Sequence, residues 1–329
     1  MLVGNKKKKT KGYESCSGCG VCLLVCPLWR TTGAMTYTRK GRAKAMQGGV
    51  SHEEIAASID ACLMCGSCEP ACPEGIGIVA MNLEQRRMLN QSRSSYPAWY
   101  PKNEATASPR NSKLPQTKTI LMAGRNLDGD IKIVETIVDL LGGDKNIGIA
   151  DDDGRDIAAA IEAGLPVPPD RIALCISLLR NAKNLIVSEG LLHRQLREWL
   201  PAKKVMGVGE ALLNIPSIRR ALRPDDIFIV ESRGYHSDFE RLVKFYDRLR
   251  KDTGCQMNLD LQRIAIPTGA SSLRGLHNKK TAGCAEHAAW ILKGRKFKRI
   301  VVEDLADMEV FQEITDVPVV HLSMAGFEK

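Results

Sequence analysis

The chain has 329 residues, more than one compact core usually organises, so two domains are the starting expectation. It is 44% hydrophobic, enough for real cores, but only 5% aromatic, which argues against a sandwich fold and against an aromatic nucleic-acid platform. Part of the net charge of +9 sits in one run, Lys6 to Lys9 with Lys11, which reads as a solvated tail or as a handle for an acidic partner or an anionic surface.

Residues 1–12 form this basic tail. It leads into "GYESCSGC" and not into the apolar stretch of a secretory signal. No window approaches the ~18 apolar residues of a membrane span. A cytoplasmic location is therefore expected, with any membrane contact made through partners. Eleven cysteines in such a setting point to metal or redox chemistry and away from disulfides.

Eight of the eleven fall in two runs, "SCSGCGVCLLVCPLW" from Ser15 and "ACLMCGSCEPACPEG" from Ala61. Cys16, Cys19, Cys22 and Cys26 repeat step for step as Cys62, Cys65, Cys68 and Cys72. Each run reads C-x2-C-x2-C-x3-C-P, the spacing that bacterial ferredoxins use for [4Fe-4S] clusters. Thiolates are soft anionic donors suited to iron in a sulfide cage. Gly18, Gly20 and Gly66 let each loop wrap a cluster and aim N–H groups at it. The fourth cysteine is expected to begin a helical stretch, point away and ligate the other cluster. Cluster one is thus assigned to Cys16, Cys19, Cys22 and Cys72, and cluster two to Cys62, Cys65, Cys68 and Cys26, with Pro27 and Pro73 turning the chain. Structural zinc would need only C-x2-C pairs.

Between the runs, Ser51 and Glu54 form a capping box, and Ile55, Ala56, Ile59 and Leu63 follow helical spacing. The spacing predicts an all-helical two-cluster domain over 13–95 that needs its clusters to fold. Val21, Leu23, Leu24, Val25, Leu63, Met64 and Ile76 are expected to form a dry collar around them.

Four prolines mark 96–116 as a linker. Beyond it, short apolar runs alternate with amphipathic ones. Strands are predicted at 119–124, 146–150 and 184–189, and helices at 130–142, 169–182 and from Gly190. A second series follows, with strands at 226–232, 263–267 and 299–304 and helices at 238–250, 282–294 and 307–314. "AKNLIVSEGLLHRQL" from Ala182 matches "FKRIVVEDLADMEVF" from Phe297 in its order of charge, strand, acidic end and helix. The fold class expected is α+α/β: the helical ferredoxin domain, then a duplicated α/β region with small parallel sheets, copy one at 117–225 and copy two at 226–329.

The segments "SGCGVCLLVCPLWR", "GRAKAMQGG" and "IDACLMCGSCEPACPEGI" resemble the iron–sulfur subunits of the heterodisulfide reductase, glycolate oxidase and anaerobic glycerol-3-phosphate dehydrogenase group. In that group a twin α/β region commonly follows, with cysteine motifs, Cys-Cys-Gly among them, that hold a further cluster or metal. The duplicated half resembles this region without its thiols. Arg125, Asp152, Asp153 and Phe239 stand near the expected positions, and "PTGASS" and "EDLADM" occupy others. The resemblance therefore implies a scaffold that kept the fold and lost the metal. It also implies a subunit of a hetero-oligomeric complex with a flavoprotein, a sister subunit with intact Cys-Cys-Gly motifs, or both.

The remaining signals are weaker. Cys175 reads as core packing. Cys284 and His287 sit one helical turn apart, which permits a thiolate–imidazole pair, although a packed cysteine and a surface histidine is the expectation. "GVGEAL" at Gly207 lacks a third glycine and a strand immediately before it, so no nucleotide site is expected. "DDDG" at Asp151 reads as a solvated loop capping the next helix, with cation chelation as the alternative. Arg274, Lys279 and Lys280 mark a polar loop, and His52, His193, His236, His277 and His321 have no partner spacing. No catalytic residue and no cofactor site beyond the cluster ligands is expected. The chain reads as an electron-transfer subunit in a heterodisulfide reductase-like complex. The alternatives are the iron–sulfur subunit of a flavin-dependent 2-hydroxyacid or glycerol-3-phosphate dehydrogenase feeding quinone, and a redox-sensing regulator. No helix-turn-helix is visible, so no nucleic-acid partner is expected.

Overall fold

The structure, a computed structural model, describes residues 11–101, 116–127, 129–261 and 263–327. The Lys6–Lys9 run and most of the proline-rich stretch lie outside the described residues. The N-terminal region is built from helices Val21–Leu24, Pro27–Thr32, Arg39–Gln47, Ala56–Ala61 and Ile78–Ser92, with short 3-10 turns at Tyr13–Ser15 and Met35–Tyr37. One isolated parallel bridge, Lys11 to Ile76, departs from an all-helical description, because the entering chain runs beside the exit of the second cysteine run. The capping box forms as its residue types dictate: the Ser51 N–H donates to Glu54 Oε2 (2.9 Å) and the Glu54 N–H to Ser51 Oγ (3.3 Å).

The second region is mixed α/β. Its first sheet has the order β2-β1-β3-β4, from β1 (Thr119–Met122), β2 (Ile147–Ile149), β3 (Asn184–Val187) and β4 (Lys204–Gly207), all parallel. The second sheet is formed by β5 (Asp226–Ile229), β6 (Gln256–Met257), β9 (Arg299–Val302) and β10 (Val319–His321), with β10-β9-β5-β6 as its order, again parallel. Taken from β6, this is the same sequence of second, first, third and fourth strand, so the repeat seen in the residues is also a repeat of topology. The first register pair carries a polar contact in both copies. In copy one the Asn184 amide donates to Thr119 Oγ1 (3.1 Å); in copy two Arg299 makes a bidentate pair with Asp226 (2.9 and 2.7 Å).

Beyond their polar first residues, the central strands are apolar because both sheet faces are buried there. Alternation then sorts the side chains. Ile120, Met122, Leu185, Val187 and Val205 enter a core on the outer face of sheet one. Ile227, Ile229, Ile300 and Val302 do the same for sheet two. Leu121, Ile186, Met206, Phe228 and Val301 share one core between the sheets.

Three expectations change. The predicted strand at 263–267 is β8 (Ile264–Ala265), which pairs antiparallel with β7 (Leu259–Asp260); the place beside β5 belongs to Gln256–Met257. β4 and β10 are short edge strands with little apolar length, and only pairing defines them. β4 also runs directly into helix Val208–Leu213, so "GVGEAL" does follow a strand, although the third glycine is still missing.

The N-terminal region is clamped onto the α/β region through buried cations. Arg86 donates to the carbonyls of Cys62 (2.7 Å) and Glu162 and lies under the Trp99 ring. Arg233 pairs with both oxygens of Glu162 (2.7 and 2.9 Å) and donates to the Leu63 carbonyl (2.8 Å). Trp99 and Tyr100, at the start of the proline-rich stretch, join this contact by packing with Ala159, Ala163 and Leu273.

Candidate metal centre

Both cysteine loops adopt the same backbone. Gly18 and Gly20 have φ of 83° and 84°, and the matching positions in the second loop, Met64 and Gly66, have φ of 56° and 76°. Left-handed residues at alternate positions make the N–H-lined concavity that holds anionic groups. Met64 adopts this conformation at a cost of about 1–3 kcal/mol. Burial and the Asn82 amide, 2.9 Å from its sulfur, hold it there. Gly66 also leaves room for a close approach, since a Cβ there would lie 2.9 Å from the Cβ of His236.

Cys26 caps helix Pro27–Thr32, with Pro27 in the first helical position. Cys72 does not open a helix. A turn through Pro73 and Gly75 (φ 63°) follows it, and the next helix begins at Ile78.

The eight cysteines fall into two neighbourhoods that cross the two runs. Cys26, Cys62, Cys65 and Cys68 line one cavity walled by Val25, Ile78 and Val79. Burial pushes the Cys26 thiol up to about 12, and Cys65 and Cys62 add to this. Burial likewise raises Cys65 and Cys68, and Cys68 is raised further by Cys65, Cys62 and Cys26. In the second neighbourhood Cys16 and Cys72 pack in one cluster, and Arg39, which also lines the first cavity, acts by its charge on Cys72, Cys16 and Cys22. Arg39 is 5% exposed and engages the Cys22 thiol, while its Nε and Nη2 find no hydrogen-bond partner among the described residues. Cys19, near Cys22, is the exposed member, and its thiol is lowered chiefly by the Val21 N–H.

This donor set fits an iron–sulfur cage. The thiols are free, and all of the eight but Cys19 are buried or half-buried. Crowded buried thiols resist ionisation by themselves, and coordination to iron reverses that. Among the described residues, no three His, Cys, Asp or Glu side chains converge as a single metal ion requires. A cubane instead spreads its four thiolates over separate corners.

Comparison with known proteins agrees. Residues 12–76 match the family model described as a 4Fe-4S dicluster domain. A stretch of 85 residues is 33% identical to the "Probable glycolate oxidase iron-sulfur subunit" of Bacillus subtilis (strain 168), covering 24% of this chain and 19% of that relative's length. The N-terminal region is an iron–sulfur domain of the electron-transfer type. No described helix is long and apolar enough to cross a membrane.

The collar is only partly as expected. Val25, Leu63, Met64 and Ile76 are buried, but Val21 and Leu24 face solvent. Spacing did not reveal the cations. Arg39, Arg86 and Arg233 reach the cysteine loops through the fold. His236 was likewise missed. Its Nδ1 donates to the Cys65 carbonyl (2.8 Å) while its Nε2 accepts the Ala265 N–H (3.2 Å). Burial lowers its pKa to about 4, which keeps it neutral.

The other candidates resolve simply. Asp152 is not in a solvated loop; it is buried and pairs with Arg171, which also holds Asp156. His287 is buried, not superficial, and engages the Thr268 carbonyl (2.9 Å) in place of Cys284. His193 contacts Ser237 and His321 contacts Ser323. Arg274 reaches the Asp60 carbonyl (3.3 Å), and Lys279 pairs with Glu309. A cavity of about 30 Å³ between the sheets is lined by Glu210, Glu231, Glu303 and His193, with room for a water-sized guest. Glu303, raised by burial to about 8, accepts the Tyr246 hydroxyl there (2.6 Å).

Cys175, Cys255 and Cys284 are buried in the α/β cores, with burial raising their thiols to about 12, 11 and 12. Cys284→Ser is expected to leave the iron content unchanged and to cost about 1–3 kcal/mol by placing a hydroxyl among apolar side chains. Iron analysis beside a thermal melt checks this, and a loss of iron would show that the α/β half carries metal.

Proposed function

We propose that this chain relays electrons through two [4Fe-4S] clusters inside a heterodisulfide reductase-like complex. In this reading Cys16, Cys19, Cys22 and Cys72 hold one cluster and Cys62, Cys65, Cys68 and Cys26 the other. When bound, each cluster supplies a one-electron couple. Residues 13–95 form the ferredoxin-type domain, 96–116 the linker, and 117–225 and 226–329 two metal-free copies of a docking scaffold. A flavoprotein, a sister subunit with intact Cys-Cys-Gly motifs, or both complete the circuit in the cytoplasm. What supports the two-cluster relay, in whichever complex, is that Cys26 lines the cavity of Cys62, Cys65 and Cys68 while Cys72 packs with Cys16.

The rival reading is the iron–sulfur subunit of a flavin-dependent 2-hydroxyacid or glycerol-3-phosphate dehydrogenase that feeds quinone. The likeness to the glycolate oxidase iron–sulfur subunit favours it. Anaerobic affinity purification from the native host, with mass spectrometry of co-eluting chains, separates the two. A sister chain with Cys-Cys-Gly motifs supports the first, and a flavin-dependent dehydrogenase supports the second.

Arg39 gives a test of the ligand grouping. A buried cation beside three of four thiolates favours the reduced, more negative state of their cluster. Arg39→Met is expected to lower the midpoint potential of the cluster at Cys16, Cys22 and Cys72 by about 60 mV or more, a tenfold change for one electron, and that of the other, whose cavity Arg39 also lines, by less. Potentiometric titration followed by electron paramagnetic resonance reads both, and two unmoved potentials would refute the grouping.

A further inference from the structure

The two cysteine neighbourhoods differ in what covers them. The α/β region closes over the second loop. Arg233 binds the Leu63 carbonyl and His236 binds that of Cys65, while Ser67 Oγ donates to the Ala265 carbonyl (3.0 Å). Among the described residues the first loop has no such cover over Cys19, the exposed member of the eight. Val21 and Leu24 beside it are 40% and 57% exposed. Their helix packs on Arg39–Gln47, which carries two lysines toward the loop. Lys40 Nζ lies 3.5 Å from where a Cβ at Gly20 would be, and the Lys44 stem crowds Gly18 while its Nζ donates to the Cys16 carbonyl (3.1 Å).

Lys11 bridges to Ile76, and Tyr13 packs in the cluster of Cys16, Cys72 and Ile76. One carboxylate, Glu74, also acts on Cys19. The result is an apolar spot flanked by Lys40 and Lys44 beside the exposed thiol. Weak, transient redox encounters use small interfaces, and opposite charge brings the partners together.

We propose that this face docks an acidic one-electron carrier protein and is the place where electrons enter or leave the chain. The inference rests on the electron-relay reading. One electron passes between the carrier and the chain; one is oxidised as the other is reduced, and no bond or proton changes hands. Lys40 and Lys44 orient the carrier, and Val21 and Leu24 exclude water from the contact.

The test uses the full iron-loaded chain and an acidic [4Fe-4S] ferredoxin, reduced with dithionite and desalted, as the probe. Binding is measured by calorimetry at two salt concentrations, and electron transfer by stopped flow. Lys40→Glu and Lys40→Glu/Lys44→Glu are expected to weaken binding at least tenfold and to flatten its salt dependence. Lys251→Glu/Lys296→Glu, with the same net charge change as the double variant, is expected to bind as the parent does. Equal weakening by both double variants, or none by either, would overturn the docking face. Lys40→Glu alone keeps the test valid if Lys44→Glu disturbs the Cys16 loop. Iron content and resonance spectra are recorded on every sample. A parent chain without iron would overturn the relay reading itself, and a fully loaded chain indifferent to Lys40 would overturn only the docking face.

Discussion

Replacing Cys68 by serine is expected to remove about half of the chain's iron and to weaken the fold around it. Cys68 stands in the neighbourhood of Cys26, Cys62 and Cys65, and its side chain also packs against Val25, Ala71 and Ile264. Serine is a harder donor with a far higher pKa, so it holds iron poorly. The lost cluster would leave three crowded thiols, one buried and two half-buried, lining the cavity with nothing to compensate their desolvation. The loss should extend beyond the metal, because Val25 and Ala71 belong to the N-terminal region and Ile264 to the second copy. Iron and sulfide analysis with resonance spectroscopy on the anaerobically purified variant checks the result. Iron equal to the parent's would remove Cys68 from the ligand set.

The second large effect concerns Arg233 and Glu162. Their side chains are 5% and 2% exposed, and the carboxylate also accepts the Leu273 N–H (2.9 Å). Burial alone would push Glu162 up, but the Arg233 charge and its hydrogen bonds outweigh this and hold the carboxyl below its usual value. Arg233→Met strands the carboxylate and drops the bond to the Leu63 carbonyl. The expected cost is about 3–5 kcal/mol, a fall in melting temperature of about 10 °C. Removing both charges, as Arg233→Met/Glu162→Leu, should recover part of the loss, because a buried pair replaced by apolar groups is often nearly neutral. A double variant no better than Arg233→Met would show that the contact with Leu63, and not the stranded charge, dominates.

Much of the structure was legible in local patterns. The Ser51–Glu54 box states its own hydrogen bonds. The match of Ala182 onward with Phe297 onward fell on β3 and β9, the third strands of two sheets with one strand order. Central strands such as Asn184–Val187 were readable because burial on both faces demands an apolar run. Edge strands such as Lys204–Gly207 were not, because pairing on one side alone leaves little trace in composition. The strand at Ile264–Ala265 was read correctly as extended and wrongly as parallel, since neither its length nor its residues encode a partner.

The sequence by itself determined the chemistry of the donors: eight thiols at cluster spacing, left-handed glycines within the loops, and an α/β half stripped of paired cysteines. These follow from residue type and short-range geometry. Only the tertiary structure decided what surrounds the thiols. Arg39 beside Cys16, Cys22 and Cys72, Arg233 and His236 on the second loop, and the exposure of Cys19 depend on contacts between residues far apart in the chain. No periodicity carries that information, because a buried arginine and a solvated one are written with the same letter.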